Sequence, residues 1–243
     1  MLYSEMGITG LGTGNIAITA VILILAYLLG NINPTILQAK ACGIDIRQEG
    51  SGNPGTTNAL RVLGKKAAGI TLLVDILKGT FAVVLAGLLF GEEMAMFACL
   101  WAFLGHCYPV FFRFKGGKGV ATAFGALSGL HPAIGFGALG IVLLAVAITR
   151  IVSASSLLGA IFVPILSYFL VKPFAPLACV MAIVVFWRHR TNIERLVKGK
   201  ENKLSFKSKG QEESGDPVKD VFAGEDAGDM PDHPANNNTQ EEQ

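Results

Sequence analysis

Long apolar runs recur along most of this chain, and they constrain its fold more than any other feature. Residues 67–90 and 132–149 are two such runs, and a transmembrane helix needs roughly 20 apolar residues. Only 16% of the 243 residues are charged and 51% are hydrophobic, whereas an average soluble domain is about 25% charged. The sequence therefore predicts an all-α membrane protein, whose backbone polar groups are satisfied within helices.

The apolar runs predict seven transmembrane helices, of which the fourth is short. At about 1.5 Å per residue, that fourth run cannot fully cross a hydrocarbon core of ~30 Å. The predicted spans cover residues 16–37, 67–90, 94–112, 120–130, 132–149, 153–171 and 174–187. In the second span, Asp75 and Lys78 are three residues apart. They share a helix face and can pair, which lowers the cost of burying charge in a membrane.

The distribution of positive charge predicts which loops face the cytoplasm. With seven spans, fifteen Lys and Arg residues fall on one side of the membrane and only Lys172 falls on the other. Cytoplasmic loops carry an excess of Lys and Arg. The count therefore places the N-terminus outside and the C-terminus in the cytoplasm, and it supports the short fourth span.

Charge also divides the chain into two predicted parts. Residues 1–204 carry 17 Lys and Arg against 8 Asp and Glu, whereas residues 205–243 carry 3 Lys against 10 Asp and Glu. The first part is predicted to be the integral membrane domain. The second part is too polar to bury a core and is predicted to be a disordered, acidic cytoplasmic tail. The four cysteines have no CxxC spacing, so we expect no metal site.

A glycine-rich loop between the first two spans is the first of three polar motifs. Residues 47–58 read Arg-Gln-Glu-Gly-Ser-Gly-Asn-Pro-Gly-Thr-Thr-Asn, a composition that neither a helix nor a strand favours. The exposed N–H groups of such a backbone can bind an anion, and an arginine fork suits phosphate. A flexible linker is the simpler alternative. The candidate substrate-binding residues are Arg47, Ser51, Asn53, Thr57 and Asn58.

Two further polar motifs are predicted to lie on the same cytoplasmic face. Residues 115–119, Lys-Gly-Gly-Lys-Gly, precede the fourth span, where N–H groups and the helix dipole favour an anion. A basic anchoring loop is the alternative. After the last span, His189 and Asn192 share a helix face. A basic stop segment is the alternative, and it explains the neighbouring arginines better than it explains these two residues. The candidates in these motifs are Gly116, Gly117, Lys118, Gly119, His189 and Asn192.

Taken together, the three motifs resemble the signatures of the bacterial acyl-phosphate:glycerol-3-phosphate acyltransferases. The matching stretches are residues 50–58, Gly105-His106-x-x-Pro109 with residues 114–119, and His189-x-x-Asn192-Ile-x-Arg195-Leu, within a resemblance that covers roughly residues 20–205. The resemblance implies a protein of the bacterial inner membrane with its active site on the cytoplasmic face. It implies acyl transfer from acyl phosphate to the 1-hydroxyl of glycerol 3-phosphate, the first step of phospholipid synthesis. The products would be lysophosphatidic acid and phosphate, and neither a metal nor a cofactor is expected.

The resemblance also implies roles for individual residues. Arg47 and Lys118 resemble the phosphate-binding cations of the family, while Lys118, His189 and Asn192 are the predicted catalytic residues. One departure is Gly30-Asn31, where the family usually has Gly-Ser. The implied partners are glycerol 3-phosphate, acyl phosphate, the lipid bilayer and the enzyme that produces acyl phosphate, with no nucleic acid.

A membrane transporter of a small phosphorylated metabolite is the alternative function. A transporter would also need cationic pockets and helices broken by glycine. Transporters place their sites near the bilayer midplane and often contain internal repeats. The polar motifs here are predicted at one surface and the sequence has no such repeat, which favours the enzyme.

Overall fold

The computed structural model describes residues 16–203, which form α-helices and two short 3-10 turns with no strand in that range. In chain order the helices are α1 (Ile16–Asn31), α2 (Pro34–Ala41), α3 (Thr56–Val62), α4 (Gly64–Phe90), α5 (Glu92–Cys107), α6 (Val120–Leu130), α7 (Pro132–Thr149), α8 (Val152–Leu170), α9 (Ala175–Arg188) and α10 (Arg190–Val197). The predicted tail, residues 205–243, lies outside the described residues.

Several of these helices have the length and composition of membrane spans. Four qualify individually: α4, α5 together with the turn that follows it, α7 and α8. Helices α1 and α2 form a fifth candidate span that is bent by 43°. Helix α6 has 11 residues and α9 has 14, so both are shorter than a full span. The chain is thus an all-helical, multi-pass membrane protein, while the count of seven spans and the orientation stay predictions.

The bend between α1 and α2 has a local chemical cause. Pro34 occupies the first turn of α2, a position that suits proline because its missing N–H is not needed there. Asn33 caps the same helix, with its Oδ1 accepting from Ile36 N at 3.0 Å. Its Nδ2 donates to Pro54 O, at 3.2 Å, in the first motif. The break therefore divides the apolar run that the sequence predicted as one span, and it anchors the first loop.

The short helix α6 lies against α4 at very close range. A side chain at Gly125 would collide with the Ile76 carbonyl of α4, and one at Gly79 would collide with the Thr122 carbonyl of α6. Small residues allow such close approach of helices in a membrane. Helix α6 also packs against α5 and α7, beside a buried apolar cluster that contains Phe103. Its N-terminus, which follows the second motif, is thereby held in a fixed place.

Candidate functional site

The first motif folds into a tight loop that is tied to the start of α3. Gly50 and Gly52 have φ angles of +60° and +68°, which glycine adopts without strain. Asn58 accepts a hydrogen bond from Ser51 N at 2.8 Å and donates one to Glu49 O at 2.9 Å. Asn58 is only 1% exposed. Its amide therefore stabilises the loop, and residues 56–58, which the sequence placed in a loop, form the first turn of α3.

Arg47 connects the first motif to the turn that precedes the second. Its Nε lies 3.1 Å from Asp45 Oδ1, and its Nη1 donates to Phe112 O at 3.4 Å. Hydrogen bonds from the Arg47 backbone N–H and guanidinium hold the pKa of Asp45 below its ordinary value. Of the other candidates in this motif, Ser51 is exposed, and Asn53 and Thr57 are half-buried. These side chains remain accessible to a ligand.

The second motif lies on the C-terminal end of α5. Gly117 N donates to His106 O at 3.2 Å. A side chain at Gly117 would overlap the His106 ring, and one at Gly116 would overlap the His106 carbonyl. Gly119, with φ of +79°, ends the loop and begins α6. Close packing therefore requires glycine at these positions. Of the two lysines of the loop, Lys115 is exposed and Lys118 is partly buried.

The third motif holds the second through Arg188. The Arg188 guanidinium donates from Nε to Gly117 O at 2.9 Å and from Nη2 to Gly116 O at 2.5 Å. Its Cζ also lies 5.4 Å from the centroid of the Tyr108 ring. In the sequence, Arg188 is one of several basic residues after the last predicted span. The structure assigns it a specific contact with the glycine loop.

A hydrogen-bonded network joins Lys118 to the end of the described chain. Lys118 Nζ donates to Asn192 Oδ1 at 2.5 Å, and Asn192 Nδ2 donates to Glu201 Oε1 at 2.7 Å. Glu201 also accepts from Ser153 Oγ at 3.0 Å and from Arg195 Nε at 2.7 Å. Burial raises the pKa of Glu201, but these hydrogen bonds outweigh it and hold that pKa below its ordinary value. Glu201 thus stays charged and fixes the orientation of the Asn192 amide.

Sequence reasoning missed Glu201. The available signal was its charge, because residues 188–203 contain six Lys and Arg but only two acids, Glu194 and Glu201. The two acids behave differently in the structure. Glu194 forms an exposed pair with Lys198, with the two charged atoms 2.6 Å apart, whereas Glu201 turns back towards α8 and α10.

The electrostatic environment of Lys118 is strongly positive. Burial lowers the pKa of Lys118 to about 8. The carboxylate of Glu201 opposes this shift, whereas three arginines, Arg195, Arg188 and Arg61, add to it. Arg61 belongs to α3, which begins within the first motif and extends beyond it, whereas Arg188 and Arg195 follow the last span, so cations from separate parts of the chain act on Lys118. Such a cluster favours an anion, because an anion would relieve the repulsion among the cations.

His189 lies at the junction of α9 and α10 and is 2% exposed. Its Nδ1 is 2.8 Å from Val185 O, and because a carbonyl oxygen can only accept, Nδ1 carries the proton. Burial, reinforced by the positive charge of Lys118, lowers the pKa of His189 to about 4. The imidazole is therefore neutral at pH 7, and its Nε2 presents a lone pair that can accept a hydrogen bond.

An apolar groove between α6, α7, α8 and α9 begins beside these polar residues. Val120, which follows Gly119, and Val185, which bonds His189, both line it. Leu127 lines it further along α6, and seven helical residues correspond to about 10 Å. The site thus combines a cationic surface with an apolar groove that extends into the membrane domain.

Asn31, which stands where the family usually has serine, has a structural role of its own. Asn31 Oδ1 accepts from Val110 N at 2.5 Å, and its Nδ2 donates to Tyr27 O at 2.6 Å. The amide therefore holds the turn that leads into the second motif.

Within residues 16–203, no group of three or more His, Cys, Asp or Glu side chains is placed to hold a metal ion.

Comparison with known proteins gives consistent results. The sequence profile of the family described as glycerol-3-phosphate acyltransferase matches residues 20–199. Proteins named glycerol-3-phosphate acyltransferase are similar to this chain. The one from Thioalkalivibrio sulfidiphilus is 44% identical over 77% of this chain and 95% of its own length. The one from Mesorhizobium japonicum is 48% identical over 76% of this chain and 95% of its own length.

Two solved structures are also similar to this chain. They are crystal structures of PlsY (YgiH), an integral membrane glycerol 3-phosphate acyltransferase, in a glycerol 3-phosphate form and a lysophosphatidic acid form. Each is 37% identical over 77% of this chain, with TM-scores of 0.73 and 0.71, and the match covers 96% and 95% of those chains. The helical fold, the three joined motifs and these matches agree, and the chain belongs to the glycerol-3-phosphate acyltransferase family.

Proposed function

We propose that this chain transfers an acyl group from acyl phosphate to the 1-hydroxyl group of glycerol 3-phosphate, forming lysophosphatidic acid and phosphate. The observation that carries the proposal is the cationic cluster around Lys118 at the end of the apolar groove. The two proposed substrates are both anions, and one has a long acyl chain. They need two anion-binding sites and an apolar groove side by side, and family membership supports glycerol 3-phosphate as the acceptor.

In the proposed reaction, the 1-hydroxyl oxygen attacks the acyl carbonyl carbon, and the bond from that carbon to the phosphate oxygen breaks. Because phosphate is a good leaving group, the protein has mainly to orient the hydroxyl and to stabilise the developing negative charge. His189 Nε2 accepts a hydrogen bond from the hydroxyl of glycerol 3-phosphate and orients it. An imidazole with a pKa of about 4 is a weak base, so the proton leaves with the phosphate.

The two phosphate groups are assigned to different motifs. Arg47 and the accessible side chains of the first loop, Ser51, Asn53 and Thr57, hold the phosphate of glycerol 3-phosphate. Lys118 and the backbone of the glycine loop hold the phosphate of acyl phosphate, with Asn192 fixing the lysine. The contact of Arg47 with Phe112 O supports this division, because it brings the first loop beside the second.

The membrane arrangement follows from the same proposal. Helices α1 and α2 form one broken span, and the short helices α6 and α9 complete seven spans, with the N-terminus outside and the C-terminus inside. The three motifs then lie on the cytoplasmic face of a bacterial inner membrane, where soluble glycerol 3-phosphate is available. The hydrogen bonds that join the three motifs support a common side for them. The enzyme that supplies acyl phosphate is the partner expected on that face.

The experiment that tests the proposal measures phosphate release by the purified protein supplied with acyl phosphate and glycerol 3-phosphate. Release should require both substrates, and acyl-CoA should not replace acyl phosphate. Lys118→Met, which removes the charge but keeps the length of the side chain, serves as the inactive control. The enzyme proposal would be wrong if release did not depend on glycerol 3-phosphate while proteoliposomes took up that compound, because a transporter would then be indicated.

A further inference from the structure

A buried ionic cluster lies in the membrane domain beneath the second motif. Lys78 Nζ of α4 is 2.7 Å from Asp75 Oδ1 and 2.9 Å from His106 Nδ1, and it donates to Ile32 O at 2.5 Å. The exposed fractions of Asp75, Lys78 and His106 are 2%, 5% and 3%. The pairing of Asp75 with Lys78, which their spacing predicted, is confirmed, and the lysine has two additional partners.

The Lys78 ammonium group faces three polar groups. They are the Asp75 carboxylate, with which it forms an ion pair, His106 Nδ1 and the Ile32 carbonyl, to which it donates. His106 Nδ1 also lies 3.3 Å from Asp75 Oδ1, so this ring nitrogen faces both the ammonium and the carboxylate. Ile32 is in the break between α1 and α2, where a carbonyl has lost its intrahelical partner. Lys78 therefore links the broken span to the end of α5.

His106 transmits this arrangement to the glycine loop. Its carbonyl accepts from Gly117 N at 3.2 Å, and its ring occupies the space that a side chain at Gly117 would need. On the other side, Arg188 donates to Gly117 O at 2.9 Å. Gly117 is therefore held between the buried cluster and the third motif, and the next residue is Lys118.

We propose that Asp75, Lys78 and His106 are positioning residues that fix the glycine loop so that Lys118 reaches Asn192 and the anion. This inference rests on the proposed function. An isolated buried ion pair is weak evidence for stability, because apolar residues of similar size often replace one without loss. A charged cluster within a membrane domain is costly and marks a functional role by default. Here the cluster contacts the backbone of the loop that carries Lys118.

The first test is a pair of variants with different charge balance. Asp75→Asn alone leaves the Lys78 charge uncompensated and should lower the Tm. Asp75→Asn with Lys78→Met removes both charges, so its Tm should recover towards that of the parent protein. We expect kcat/KM for acyl phosphate to stay at least about tenfold low in the double variant, because His106 and Ile32 have lost their contact with Lys78. The control is Glu194→Gln with Lys198→Met, which neutralises the exposed pair on α10 and should keep kcat/KM.

A second pair of variants addresses His106 directly. His106→Asn places an amide oxygen near the position of Nδ1 and keeps an acceptor for Lys78, whereas His106→Leu does not. We expect His106→Asn to retain a higher kcat/KM than His106→Leu, at a similar Tm. If the two variants lost kcat/KM equally and in step with their loss of Tm, the positioning role would be overturned, because packing alone would then explain the losses.

A readout that does not need turnover separates this inference from the proposed function. Lys118 has a pKa of about 8, so its amine reacts with acetic anhydride near neutral pH, and mass spectrometry can follow its labelling relative to exposed Lys65. Release of the loop in the double variant should raise the Lys118 rate several-fold. An unchanged Lys118 rate together with an unchanged kcat/KM would refute the inference. Absence of turnover in the parent protein would instead refute the proposed function, and the labelling result would still decide the positioning role.

Discussion

Lys118 Nζ lies 2.5 Å from Asn192 Oδ1, so a single hydrogen bond joins the second and third motifs across 74 residues of sequence. The other end of the same amide donates to Glu201 at 2.7 Å. Each amide atom therefore faces a group of the opposite charge, the ammonium on the oxygen and the carboxylate on the nitrogen. A small change in this amide should disturb both contacts at once.

Exchanging the amide for a carboxylate tests this relationship. Asn192→Asp keeps an acceptor for Lys118 but places two carboxylates together, and hydrogen bonds to charged groups are worth about 1.5–3 kcal/mol. We expect kcat/KM to fall by about 10- to 100-fold. Adding Glu201→Gln restores a donor to the new carboxylate and should recover part of the loss. If the double variant were no better than Asn192→Asp, the Glu201 carboxylate would not be what holds the amide.

The lowered pKa of Lys118 predicts a pH dependence. In the proposed function the ammonium form binds the anion, and this form is lost as the pH rises through about 8. We therefore expect kcat/KM, which reports the free enzyme, to fall above about pH 8. Lys118→Arg should remove that decline, because a guanidinium stays charged throughout this range. Exposed Lys198→Arg is the matched control. A decline that persists in an active Lys118→Arg variant would assign the titration to another group.

The sequence was sufficient to predict the three polar motifs and their proximity in the fold. Hydropathy predicts that the spans between residues 47–58, 115–119 and 188–203 return the chain to the same side, and the hydrogen bonds of the structure bring parts of these segments together. The pairing of Asp75 with Lys78 followed from local spacing, and resemblance selected Lys118 and Asn192, which the structure joins by a hydrogen bond. These features depend on neighbours in sequence or on the alternation of spans, both of which can be read without coordinates.

Contacts between distant residues could not be predicted in the same way. Nothing in the order of residues indicates that Glu201 turns back to Asn192, or that Arg188 donates to the carbonyls of the glycine loop. Asn58 was predicted to bind substrate, and its amide instead bonds its own loop, so a direct substrate contact there stays a prediction. A polar side chain among glycines suits a ligand and a backbone equally well, and tertiary packing decides between them.

The tautomer of His189 leads to a prediction about its role. Its neutral Nε2 accepts a hydrogen bond, and glutamine presents an amide oxygen at a similar reach from the backbone. We therefore expect His189→Gln to retain at least about tenfold more kcat/KM than His189→Ala, because orientation of the hydroxyl is preserved. The Tm of the two variants should be compared first, since both alter a buried side chain. Equal and large losses in both, with unchanged stability, would favour a base over an orienting role.

Two truncations separate the tail from the site. The family profile ends at residue 199, and the Thioalkalivibrio relative is matched over 95% of its length by 77% of this chain. A chain that ends after residue 204 should therefore keep near-normal phosphate release. A chain that ends after residue 200 also lacks Glu201 and should lose most of its activity, because Asn192 and Arg195 lose a shared partner. If the chain that ends after residue 204 were also inactive, residues 205–243 would be required for activity.

The apolar groove predicts a dependence on acyl-chain length. Ala160 of α8 lines the groove and is 8% exposed, so Ala160→Phe should fill it at a point away from the polar residues. We expect kcat/KM for long-chain acyl phosphates to fall by about tenfold or more while that for short-chain acyl phosphates changes little. Overpacking costs about 1–3 kcal/mol, so the Tm is measured in parallel. Leu144→Phe, at a side chain of α7 that is 65% exposed, is the control and should affect neither. Equal losses for long and short chains in Ala160→Phe would place the acyl chain elsewhere.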